Sequence, residues 1–221
     1  LLLFWKEPGS AGPSPPAEPA DGRAPENGRS AWENFARVWA SRLFIQIGVA
    51  TSQGFILFFV ASRLTAGAGF PDAPPETIVS GLLLLSTSIS IATALAFGAV
   101  SDFVGQRKYY VSASGVLIFI GMATFALSPT WHGIILGQIL YGLGAGLYSS
   151  AEVALAAERL PSRNDSARDL GILNLGNTLP QAIAPGLALL LVGPSDAGYP
   201  ALFIVAGAAA AFGGLIAARI R

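Results

Sequence analysis

The chain has 221 residues, 52% hydrophobic and 12% charged, with a mean hydropathy of +0.57; soluble domains carry roughly 25% charged residues, so this is the composition of a membrane protein. Thirteen Lys and Arg balance thirteen Asp and Glu for a formal net charge of +0, which excludes the basic surface that a nucleic-acid partner requires. Zero cysteines and a single histidine, His132, exclude a disulfide scaffold, a thiolate metal centre and a histidine cluster, so no metal or cofactor is expected.

The first segment, 1–34, differs in kind from the rest. Leu1–Trp5 is an apolar cluster with a Trp where a span would leave the membrane, and no basic segment precedes it. It reads as the tail of a preceding helix in a longer protein, or as a trimmed tail with a chance apolar start. Pro8–Ser30 is rich in Pro, Gly and Ala and reads as a flexible linker on the cytoplasmic side.

Residues 35–221 are expected to form an all-α, polytopic bundle of six transmembrane helices. A span needs about 20 apolar residues, because each backbone group in lipid must be paired within its own segment. Uncharged stretches lie between Arg42 and Arg63, Glu76 and Asp102, Lys108 and Glu152, Asp169 and Asp196, and from Ala197 to Ala218. The third holds two spans, broken at Ser128-Pro129-Thr130. The spans are placed at 41–62, 77–100, 109–128, 131–157, 169–192 and 199–218. With the first span starting inside, every Lys and Arg except Arg63 is cytoplasmic, so both ends are expected there, in the cell membrane.

A polar side chain on a spanning helix faces protein or a water-filled cavity rather than lipid. The first span carries Gln46 and Gln53, seven apart, beside Thr51 and Ser52. The fourth carries Gln138, Tyr141, Tyr148 and Glu152 along one face, and the fifth carries Asn174, Asn177, Gln181 and Pro185 in the same rhythm. Amides donate and accept and tyrosine adds a flat ring, which suits a small neutral hydroxylated solute such as a sugar. Gln46, Gln53, Gln138, Tyr141, Asn174, Asn177 and Gln181 are therefore the candidate substrate-binding residues. Interhelical packing by amides is the alternative for each of them. Ser86–Ser90 and Thr93 either line water or bond to their own preceding turn, and Gly142 and Gly146 fit close helix packing.

Between the second and third spans stands Gly98-Ala99-Val100-Ser101-Asp102-Phe103-Val104-Gly105-Gln106-Arg107-Lys108. A small residue ends one helix, a carboxylate follows, and two cations open the next. An ordinary cytoplasmic turn with positive-inside anchors has the same plan. The segment resembles the signature loop of the major facilitator superfamily through Gly98, Asp102, Gly105 and Arg107, while Phe103 and Gln106 replace basic residues of that pattern. The fourth span ends with Glu152 and Arg159, seven apart on one face, which resembles the E-x6-R element of the sugar porters in that superfamily.

The resemblance implies one half of a major facilitator fold, here the C-terminal six helices, with an N-terminal six-helix half as the missing partner. It implies alternating-access transport of a small-molecule substrate across a lipid bilayer. It also implies that Asp102, Arg107, Glu152 and Arg159 form an inner gate; a static ion-pair set at the interface is the alternative. Export of an amphipathic drug or metabolite, or a non-transporting sensor or scaffold, are the other functions open. An enzyme would need a paired nucleophile and base, a metal set or two carboxylates at catalytic separation, and none is legible. Glu152 is the single membrane-embedded carboxylate, so proton coupling would place its titrating group in the other half.

Overall fold

The computed structural model describes residues 28–65, 71–104, 107–158, 166–193 and 198–220. They form six helices: α1 (Gly28–Thr65), α2 (Pro75–Val104), α3 (Arg107–Leu127), α4 (Trp131–Glu158), α5 (Ser166–Leu191) and α6 (Tyr199–Ala218). Each contains one of the six predicted spans or nearly all of it. α1 extends furthest beyond expectation, because polar residues ahead of its apolar stretch continue the same helix from Gly28.

Local chemistry sets the helix ends. Pro75 opens α2, where its missing N–H is no loss. Ser128-Pro129 stops α3, and Thr130 starts α4 by accepting the Gly133 N–H on its hydroxyl at 3.3 Å. After α5 the chain turns at Gly193, whose φ of 61° is the left-handed conformation that glycine adopts without strain. Pro200 sits in the first turn of α6.

Among the described residues five helices, all but α5, contain a stretch long and apolar enough to cross a membrane. α5 has the length, 26 residues or about 39 Å of rise, but carries Asn174, Asn177, Thr178, Gln181 and two prolines. Large apolar side chains lie exposed on the periphery, including Leu84, Leu95, Leu189, Leu190 and Leu215, as expected where lipid is the solvent.

Around the bundle the helices follow the order α2, α4, α3, α6, α1, α5, an open arc that α1 partly closes by also touching α2 and α4. Trp39 Nε1 donates to the Ile172 carbonyl at 2.9 Å, so the starts of α1 and α5 share one end. Lys108 Nζ donates to the Ile220 carbonyl at 2.9 Å, placing the start of α3 beside the end of α6. At the opposite end, Arg63 donates to the Ala126 carbonyl at 2.7 Å and lies 5.0 Å from the Phe59 ring centroid. Arg63 satisfies a carbonyl that the end of α3 leaves without a partner, and Lys108 binds just past the end of α6, so each cation complements a helix's negative dipole end.

The core on the α3–α6 side is tight. Phe59, Phe125 and Phe203 form a ring cluster with centroids 4.6 to 5.3 Å apart. Glycine lets backbones meet: a Cβ on Gly214 would stand 2.6 Å from the Ser112 carbonyl oxygen. Gly142 and Gly146 do the same between α4 and α2, where a Cβ would fall 2.7 Å from the Ser86 oxygen and 2.5 Å from that of Ser90. Their close-packing role is thus as the spacing suggested.

Candidate functional site

The close approach of α4 to α2 leaves a space on the side facing α1. This cavity, about 310 Å³, is lined by α1, α2 and α4 and by neither α3 nor α6. Gln46 and Gln53 reach it from α1, Ser86, Thr87 and Ser90 from α2, and Tyr141, Tyr148, Ser149 and Glu152 from α4. Val49, Leu83, Ile91 and Ala145 supply apolar wall between them. Two of the hydroxyls are already tied to their own helices, Ser86 to the Leu83 carbonyl at 3.2 Å and Ser149 to that of Ala145 at 3.0 Å. A hydroxyl that donates keeps lone pairs with which it can still accept.

The floor of the cavity is an ionic cluster joining three helices. Arg42 Nη2 stands 2.6 Å from Glu152 Oε1, and both side chains are 14% exposed. Arg42 Nε also donates to Asn177 Oδ1 at 2.8 Å, and the same oxygen accepts Gln46 Nε2 at 3.0 Å. One guanidinium therefore bridges α4 and α5 from α1, using its planar fork in two directions as an ammonium cannot. The carboxylate lining the cavity is matched by that cation, so this pair adds no net charge to the cavity.

The sequence-predicted residues divide among several places. Gln46, Gln53 and Tyr141 line the cavity, and Asn177 lies behind it through its bonds to Arg42 and Gln46. Tyr141 is buried, its hydroxyl beside Ser52 and Gln53. Gln138 is 3% exposed and borders a small void among Gly121, Phe125 and Phe203, within the helix packing rather than on the cavity. Asn174 is exposed on α5. Gln181 lines a separate cleft between α1 and α5.

Of the expected gate residues, Glu152 is held by Arg42. Asp102 falls in the last turn of α2, with its side chain outside the described residues, and Arg107 opens α3. Arg159 lies outside the described residues. Arg42 is the residue of this cluster that sequence reasoning passed over, having been read as a positive-inside anchor. The signal was present: Arg42 precedes Gln46 by four residues and so continues the Gln46–Gln53 stripe by one turn.

The Major Facilitator Superfamily profile matches residues 43–221. The chain is 36% identical over 83 residues to the D-xylose-proton symporter-like 2 of Arabidopsis thaliana, covering 35% of this chain and 16% of that protein. It is 37% identical over 70 residues to the efflux pump roqT of Penicillium rubens, covering 32% of this chain and 13% of the pump. The similarity to the riboflavin transporter RibZ of Clostridioides difficile is longer, 24% identity over 170 residues, 76% of this chain and 35% of that protein. The chain thus spans about a third or less of each of these relatives.

Proposed function

Because the chain belongs to the Major Facilitator Superfamily, and so to a family of multi-pass membrane proteins, we propose that it is the C-terminal half of a secondary active transporter. The protein moves a small, neutral, hydroxyl-rich solute by alternating access, rocking these six helices against an N-terminal six. The observation that carries this reading is the cavity lining: amides, serine and threonine hydroxyls and two tyrosines, with its carboxylate matched by Arg42. Such a surface offers paired donors and acceptors to hydroxyls and no uncompensated charge to bind an anion or a cation. The short similarity to a D-xylose-proton symporter-like protein agrees with it.

In this reading the end holding Arg42, Lys108 and Arg168 faces the cytoplasm, in keeping with the excess of Lys and Arg there. The Arg42–Glu152–Asn177 cluster closes the cavity floor on that side and parts when the site opens inward. Asp102, Arg107 and Arg159, near the same end in the chain, complete the gate.

Uptake assays on the full-length protein reconstituted in liposomes test the proposal, with labelled D-xylose, sorbitol and riboflavin as solutes. Saturable flux of at least one, competed by the others or by related polyols, is the expected result. Flux confined to amphipathic cations would overturn it in favour of an exporter, the reading that the similarity to an efflux pump favours.

A further inference from the structure

A second cleft, about 410 Å³, opens between α1 and α5. It lies further along both helices than the ionic floor: α1 contributes Gln53, Phe55 and Phe58, and α5 contributes Gln181 and Pro185. The two helices are clasped at their starts, by Trp39 to Ile172 and by Arg42 and Gln46 to Asn177. Among the described residues no such clasp joins them at the level of the cleft, where Gly54 of α1 would meet nothing within 4 Å of an added Cβ.

The lining has binding chemistry of its own. Phe55 and Phe58 stand 6.3 Å apart between ring centroids, and Phe58 is 53% exposed. Across from them, the exposed Gln181 presents its amide. Pro185 has no N–H, so it cannot supply the helical donor that the Gln181 carbonyl four residues earlier would otherwise receive. One residue thus offers a side-chain donor and acceptor together with a backbone acceptor, opposite an aromatic wall. Gln53 belongs to both this cleft and the cavity above the ionic floor.

We propose that the α1–α5 cleft is a second subsite for the same neutral polyol, connected to the first through Gln53. The solute lays the C–H face of its ring or chain on Phe55 and Phe58 and directs its hydroxyls to Gln53 and Gln181. Passage between the subsites exchanges partners at one end while the Gln53 amide holds the other. This rests on the transporter reading given above and adds a station to it on the side away from the Arg42 cluster.

These 221 residues contain no cysteine, so the test is direct once any cysteine elsewhere in the full-length protein is replaced. Two variants of the full-length protein, Gly54→Cys in the cleft and Ser149→Cys in the first cavity, are reacted in detergent with a fluorescent maleimide. D-xylose, sorbitol and riboflavin are each added in turn. A solute at about ten times its Kd leaves about a tenth of its sites free, so labelling of both variants should slow about tenfold. Adding Gln181→Ala should abolish protection at position 54 and leave protection at position 149. Protection at 149 with none at 54 overturns the second subsite and leaves the transporter reading standing. A Gly54→Cys variant that never reacts, beside a reactive Ser149→Cys variant, overturns it too, because another part of the protein then fills the cleft. Protection at neither position removes the polyol reading of the first cavity, and the second subsite falls with it.

Discussion

Arg42 carries more of this site than any other side chain described. Its guanidinium meets Glu152 at 2.6 Å and Asn177 at 2.8 Å, with 14% of the side chain exposed. Removing the cation leaves a largely buried carboxylate without its partner, a loss that costs about 3 kcal/mol or more. Arg42→Ala should therefore lower the thermal midpoint of the full-length protein and abolish flux. The pair Arg42→Met with Glu152→Leu separates the two effects, since an apolar replacement of both partners is often neutral in stability. Thermal unfolding should recover in the double variant while transport stays lost. Flux that recovers along with stability would show that the pair is packing and takes no part in the transport cycle.

At the level of the element, the position of α4 against α2 decides the shape of the cavity. Gly146 permits it: an added Cβ would stand 2.5 Å from the Ser90 carbonyl oxygen and 2.6 Å from Thr93 Cβ. Neither neighbour is the free end of a flexible chain, so the helices must separate. Gly146→Leu is expected to cost about 1–3 kcal/mol by overpacking and to spoil the lining that Ser86, Thr87 and Ser90 share with α4. Gly81→Ala on the same α2 helix is the control, because a Cβ there meets nothing within 4 Å. Thermal stability and solute uptake measured on both variants check this; equal behaviour would mean that α2 and α4 need not touch as closely as the structure places them. The prolines of α5 belong to the same scale. They and the amides between them make α5 the helix without a stretch apolar enough to count as a span by composition, although it packs along α1 with the rest.

For the whole molecule, the open arc separates two kinds of surface. α3 and α6 hold the dry, glycine-rich packing, while α1, α2, α4 and α5 surround the polar spaces. The proposed orientation makes a sharp prediction on full-length protein in which any cysteine outside these 221 residues, themselves free of cysteine, has been replaced. A cysteine introduced in place of the exposed Asp72, between α1 and α2, should react with a membrane-impermeant maleimide on intact cells. A cysteine in place of the exposed Arg168, at the start of α5, should react only after permeabilisation. The reverse pattern would invert the topology, and with it the assignment of the Arg42 cluster to the inner side.

Helices, their number and their breaks were legible in the sequence because each depends on local matters: a run of uncharged residues, a Ser-Pro-Thr stop. The stripes on the first, fourth and fifth spans were legible too, since a helix repeats its face every three to four residues. What those faces meet was not. Gln138 and Tyr141 share a stripe and both border a small void inside the packing, yet only Tyr141 also reaches the cavity. Glu152 was legible as a gate residue only through a family resemblance; tertiary structure adds Arg42 of the first helix as its partner, which also reaches Asn177 from 135 residues away in the chain. Such pairings depend on how far each helix is rotated and how closely its neighbours approach. Those quantities are set by many glycine and side-chain contacts at once, and no single stretch of sequence contains them.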